Sequence, residues 1–132
     1  MESEFRTAIA AWLRADAALM ALVNALEEEG PVAASLPAIA IVASAAADWS
    51  HKTGAGREVR LAVEITARGD DPAPLGVIAA RLEQRIATMP PDQAGFRLVM
   101  TQFLRSRAER RARAVRAQLL EYRFLILATP TE

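Results

Sequence analysis

Residues 58–68 constrain the fold more than any other part of the chain. Val59, Leu61, Val63, Ile65 and Ala67 alternate with Glu58, Arg60, Glu64, Thr66 and Arg68, and Ala62 is the single exception. A period of two in apolar and polar residues puts one face of a strand on a core and the other in water. Such a strand folds only as part of a sheet with one face covered, so the rest of the chain has to supply partner strands and a cover.

Residues 38–47, rich in Ile, Val and Ala after Pro37, read as the strand before it. Asp48 to Gly56 lies between the two, and Gly54 and Gly56 suit a hairpin loop. At the N-terminus, Phe5, Ile9, Trp12, Leu13, Leu19, Met20, Val23 and Leu26 recur at helical spacing, which predicts a helix over residues 3–28 that ends at Gly30-Pro31. Glu2 and Glu4 sit where a helix dipole favours negative charge, and Asp16, inside the apolar stripe, is placed to cap a second short helix after a bend. Gly69-Asp70-Asp71-Pro72 is a turn that starts a helix, with Asp71 as cap and Pro72 in the first helical position. Leu75, Ile78, Ala79, Leu82 and Ile86 form its apolar stripe, and Met89-Pro90-Pro91 stops it.

Phe96, Leu98, Met100 and Leu104 alternate like a strand, as do Tyr122, Phe124 and Ile126. Residues 105–118 have helix propensity, so an arginine-rich helix is the alternative there. The β-branched and aromatic residues on either side favour two long antiparallel strands with a hairpin tip near 107–114. The expectation is one α+β domain over residues 1–132. It has a four-stranded antiparallel sheet, two helices on one face and the order α-β-β-α-β-β.

At 52% hydrophobic and 24% charged residues the composition is that of a folded, soluble domain. The absence of cysteine removes disulfides, thiolate metal sites and cysteine nucleophiles together. An acidic start, Met1-Glu2-Ser3-Glu4, differs from the basic start of a secretory signal, and the apolar stretch Val32 to Ala47 is mostly alanine, so no membrane helix is expected. The formal charge is zero but divided. Residues 1–50 carry two arginines against seven acids, a charge of −5, and residues 51–132 carry fourteen basic groups against nine acids, a charge of +5. Complementary halves suit head-to-tail packing of copies.

A search for chemistry finds little. His51, the only histidine, lies beside Ser50 and three residues after Asp48, whereas a catalytic triad needs its members to converge from different elements. Lys52-Thr53 lacks the glycine that precedes the lysine of a phosphate loop, and Gly54-Ala55-Gly56 leads into a strand with Val59 where a dinucleotide fingerprint needs glycine. Glu27-Glu28-Glu29 and Asp70-Asp71 read as solvated surface, not metal ligands. No catalytic residue, metal or cofactor is expected. Arg105, Arg107, Arg110, Arg111, Arg113 and Arg116 are clustered with Glu109 the only acid among them. They suit a solvated tip, phosphate contacts, or salt bridges to the acidic surface of a neighbouring subunit. Nothing aromatic lies between them to stack bases. Trp49 is a residue type common in hairpin packing and enriched at interface hot spots.

The run from Asp48-Trp49-Ser50-His51-Lys52-Thr53-Gly54-Ala55-Gly56 through Arg57-Glu58-Val59-Arg60-Leu61 resembles a loop and strand of a tail-completion family encoded in tailed-phage morphogenesis clusters. Leu13 to Leu19, Phe103-Leu104-Arg105-Ser106-Arg107 and Tyr122-Arg123-Phe124 resemble it too, in matching order over almost the whole chain. The resemblance implies a tail terminator, without enzymatic activity, that forms a hexameric ring on the end of a completed tail tube. Its partners would be copies of itself, the tail tube protein and the head–tail connector. DNA would pass through the ring without specific binding. The protein would assemble in the cytoplasm and end at the head–tail junction of a phage, prophage or gene transfer agent particle. The implied fold is a small sheet with helices on one side. The chain departs from the family in having no glycine between Ala108 and Ala114, where a glycine-containing turn is common. Trp49, Lys52 and Arg57 of the loop, and Arg107, Arg110, Arg111 and Arg113 of the hairpin, are the candidate contacts with a neighbouring subunit or the tube. A nucleic-acid-binding module using the same arginines is the alternative.

Overall fold

A computed structural model describes residues 1–28 and 35–129. The elements are α1 (Glu2–Arg14), α2 (Ala17–Met20), β1 (Ala25–Glu28), β2 (Ala38–Asp48), β3 (Gly56–Arg68), α3 (Ala73–Ala87), β4 (Phe96–Arg111) and β5 (Val115–Ala128). The strands form one sheet in the order β1-β2-β3-β5-β4, antiparallel except for the β1–β2 pair, which is parallel.

The α+β class, the two hairpins and the helices on one face match the sequence reading. The four-stranded antiparallel sheet does not, because the second half of the expected 3–28 helix is broken. Asp16 caps α2, accepting from the Ala18 N–H at 3.2 Å, as its position in the stripe suggests. The chain then leaves the helix, and Asn24 bonds through its backbone N–H to the Pro37 carbonyl at 2.8 Å and through its side chain to that of Leu36 at 2.9 Å. Those bonds start β1, a fifth strand that pairs Ala25–Glu28 in parallel with Ala38–Ile41. Helix formers here become strand because pairing with β2 satisfies their backbone and buries Leu26. The Gly30-Pro31 stop lies outside the described residues.

Pairing also overrides the helix preference of the alanines in β2, which runs beside β3 from Ala38↔Thr66 to Asp48↔Arg57. The start of α3 follows the expected turn, with the Asp71 carboxylate accepting from the Ala73 N–H at 3.0 Å and Pro72 in helical conformation just before it.

One core lies between the sheet and the helices. Phe5, Ile9 and Leu13 of α1, Leu82 and Ile86 of α3, and Val59, Ile65, Phe124 and Ile126 of the sheet are all fully enclosed. Phe5 meets Phe124 at 4.7 Å and Phe96 at 5.7 Å between ring centroids. The two long helices are tied together across their polar edges. Trp12 donates its indole N–H to the Arg85 carbonyl at 2.8 Å, Arg85 returns a bond to the Trp12 carbonyl at 2.9 Å, and its guanidinium lies 3.3 Å above the indole ring. Arg81 grips the enclosed Asp16 carboxylate with two nitrogens, at 2.7 and 2.8 Å.

The last third is the hairpin, not the helix. Its strands run to Arg111 and Val115, so the turn is narrower than the tip expected over 107–114. The absence of glycine is met by two successive left-handed residues, Arg113 at φ 62° and Ala114 at φ 58°. A tight hairpin whose twist matches its strands needs positive φ at both central positions. For residues with a Cβ that conformation costs about 1–2 kcal/mol each. Ala114→Gly should therefore raise stability by about 0.5–1 kcal/mol, read as a higher urea midpoint. A lower midpoint would show that the turn is not strained.

Candidate assembly interface

The seven candidate residues fall into two groups that the sheet holds apart. Trp49, Lys52 and Arg57 lie at the end where β2 turns into β3, and Arg107, Arg110, Arg111 and Arg113 lie towards the end where β4 turns into β5. Strand β3 runs from one end to the other, Gly56 pairing near the end of β5 and Arg68 pairing with Val115. Thirteen residues of strand span about 40 Å.

At the first end the loop is tightly built. Asp48 faces Arg57 across the ladder and pairs with it at 3.3 Å. Trp49 donates its backbone N–H to the Gly56 carbonyl at 2.9 Å, and His51 and Gly54 exchange bonds at 2.8 and 3.2 Å. A Cβ on Gly56 would stand 2.3 Å from the Trp49 carbonyl oxygen, so only glycine allows the two strands to approach here. The Trp49 ring packs edge-on against the His51 ring at 4.4 Å and stays half-buried. Lys52 is exposed at the tip and makes no ion pair among the described residues. Ser50 donates to Asp48 at 2.6 Å, so its hydroxyl is directed to the acid and not to His51. That is the wiring of a turn, not of a nucleophile and its base.

At the second end the arginines divide. Arg111 is taken up inside the subunit, with both its terminal nitrogens on Glu64 at 3.0 and 2.8 Å and one on Glu109 at 2.7 Å. Glu64 first and Glu109 second hold its guanidinium further into the charged form. Arg105 pairs with Glu121, whose carboxyl it holds below the usual range. Arg116 bonds the Gly69 and Asp70 carbonyls at 3.3 and 2.7 Å, and the Gly69 N–H bonds Ala114 at 2.7 Å, fixing the β4–β5 turn to the β3–α3 turn. Arg107, Arg110 and Arg113 are exposed and make no ion pair among the described residues.

Sequence reasoning did not single out Glu64, Glu121 or Glu58. The outward positions of β3, for Glu58 and Glu64, and of β5, for Glu121, held the signal. Glu58 bridges Arg60 at 3.0 Å and Arg123 at 3.1 Å, and its carboxyl is held low by Arg123 first. The helix-free face of the sheet is thus a lattice of ion pairs. Its depressions are open, such as one of about 180 Å³ floored by Ala43, Ala45 and Ala62 between Arg60 and Glu121. No three His, Asp or Glu side chains among the described residues are grouped to hold a metal. No helix among them is long and apolar enough to cross a membrane.

The sheet has one long exposed edge, β4, and charged side chains at two separate ends. The profile of the family described as "Tail completion protein gp17" matches residues 7–127, and the chain belongs to that family. Among solved structures it is similar to a chain of the "Virion of native gene transfer agent (GTA) particle". That similarity has a TM-score of 0.77 and 28% identity, and it covers 95% of this chain and 96% of the other. No curated protein shows a match.

Proposed function

We propose that this protein is a tail terminator. Copies of it close into a ring, hexameric in the family resemblance, on the end of the tail tube. The ring stops the tube growing and gives the head connector a surface to join. The observation that carries this reading is the end-to-end similarity to a chain of a gene transfer agent virion, at 28% identity over 95% of the chain. Family membership over residues 7–127 supports it independently.

The two ends of the subunit suit this work. A ring subunit between a tube and a connector has two axial neighbours besides its two lateral ones. The Trp49, Lys52 and Arg57 loop and the Arg107, Arg110 and Arg113 segment are the proposed contacts with these neighbours, axial and lateral together, and the mechanism is steric and interfacial. Arg111 leaves the set, since Glu64 and Glu109 already occupy it. The same internal pairing weighs against a nucleic-acid module, because two of the clustered arginines, Arg105 and Arg111, are neutralised within the fold.

The test is electron microscopy of particles from cells lacking the gene. Overlong or irregular tails, unattached to filled heads, are expected. Particles with tails of normal length and normal attachment would overturn the assignment. Replacing Arg107, Arg110 and Arg113 together by glutamate should reproduce the defect while the purified variant keeps its unfolding midpoint. Normal particle yield from that variant would remove the arginines from the contact set.

A further inference from the structure

One row of residues crosses the whole sheet in register: Glu27 of β1, Ala40 of β2, Glu64 of β3, Leu119 of β5 and Arg107 of β4. It begins with an acid on one edge strand and ends with a base on the other. Neither end residue makes an ion pair among the described residues, although Glu64 and Arg111, between and beside them, do. We propose that the β4 edge of one copy docks against the β1 edge of the next, with Arg107 paired to Glu27 of that next copy. The idea rests on the ring reading and names the lateral contact within it.

Three observations support the second copy as the occupant. The first is direction. β1 is parallel to β2, and each further pair is antiparallel, so β4 runs opposite to β1. A copy placed beside β4 in the same orientation therefore presents β1 antiparallel to it, and the sheet's alternation continues. Copies in one orientation, joined by unlike surfaces, are what a closed ring requires. The second is charge. β1 carries Glu27 and Glu28 without a base, and β4 carries Arg97, Arg105, Arg107, Arg110 and Arg111 against the single acid Glu109, so the two edge strands of the sheet are opposite in charge. The third is exposure. Strand β4 has sixteen residues; its start is bridged to Asp92 through Arg97, and beyond that it pairs with β5 alone among the described residues and is exposed from Gln102 to Arg111.

A long free strand edge is an aggregation hazard unless it is covered, charged or bulged. β4 carries register shifts at Leu98/Met100 and Phe103/Arg105, and arginines beyond them. Those devices resist indiscriminate pairing and leave an edge matched in charge to one partner. On the β1 side Arg14 already occupies the Leu26 carbonyl at 2.8 Å, so the backbone ladder between copies is short, centred on Glu27, and the charge pair adds to it.

The chain has no cysteine, which makes the test clean. A variant carrying both Glu27→Cys and Arg107→Cys, oxidised in assembled particles, should give a ladder of covalent oligomers on a non-reducing gel. Adjacent strands bring paired Cα atoms within the roughly 4.4–6.8 Å that a disulfide spans. Each single variant should run without the ladder. In parallel, Arg107→Glu or Glu27→Arg alone should weaken self-association of the purified chain by about tenfold, and the two together should restore it. Copies that associate by native mass spectrometry yet neither cross-link nor respond to the swap would overturn the edge pairing and leave the ring reading intact. A wild-type chain that does not associate, alone or on particles, would overturn both.

Discussion

Phe5→Ala should cost about 3–5 kcal/mol, the range for emptying an aromatic site in a close-packed core. The ring is fully enclosed and lies between Phe96 of β4 and Phe124 of β5, at 5.7 and 4.7 Å. It is therefore the peg by which α1 holds the far strands of the sheet. Domains of this size have total stabilities of about 5–15 kcal/mol, so the loss leaves little in reserve. Urea unfolding should show a much lower midpoint, and low solubility on expression would accord with it. Phe5→Leu keeps most of the volume and should cost less than about 1.5 kcal/mol. Equal midpoints for the alanine and leucine variants would show that the side-chain volume at this site contributes nothing.

Asp16→Asn should produce the second large loss, and one that depends on pH. The carboxylate is enclosed, gripped by Arg81 at 2.7 and 2.8 Å, and caps α2 through Ala18 at 3.2 Å. The Arg81 hydrogen bonds are the main reason its carboxyl is held below the usual range. A carboxyl whose pKa falls on folding contributes stability that is fully present above its unfolded value of about 3.9 and is lost as the pH drops through the folded value. At pH 7 the variant should be clearly less stable than wild type, with Arg81 left beside an uncharged amide. Between about pH 5 and pH 2 wild type should lose stability faster than Asp16→Asn, and the two curves should converge. Parallel curves over that window would show that the pair does not couple folding to protonation. Because Asp16 and Arg81 are 65 residues apart, their link also joins the N-terminal helices to α3.

What could be read from the sequence followed local chemistry. The alternation in β3, the Asp71-Pro72 start and Met89-Pro90-Pro91 end of α3, and the Asp16 cap are each decided within a few residues. β1 was missed because Ala25-Leu26-Glu27-Glu28 has helix-forming side chains, and it becomes a strand only beside β2. The hairpin was the favoured reading because its flanks are aromatic and β-branched, while its left-handed turn at Arg113 and Ala114 leaves no signal in a glycine-free segment. For the candidate interface, residue types were legible and distances were not. Nothing near Arg111 in sequence indicates that Glu64, 47 residues away, takes it up, and nothing near Trp49 indicates that the arginines lie at the other end of β3. The row from Glu27 to Arg107 exists only once four registers are known.

The two register shifts in β4 have a consequence for parity. Val99 and Leu104 are the extra residues, each facing a gap in the β5 ladder. The first exchanges odd and even positions, so that after Phe96 and Leu98 it is Thr101 and Phe103 that point to the helices. The second exchanges them back, which returns Arg105, Arg107 and Arg111 to the helix-free face beside Glu121 and Glu64. Two odd steps cancel. Losing either residue alone would invert every position from there to the turn, driving guanidinium groups towards the helix side and stranding their carboxylates. Losing both would leave the pattern in phase. The count of residues between Leu98 and Arg105 is thus tied to where the positive charge appears, while the identities of Val99 and Leu104, 46% and 38% exposed, matter less than their presence.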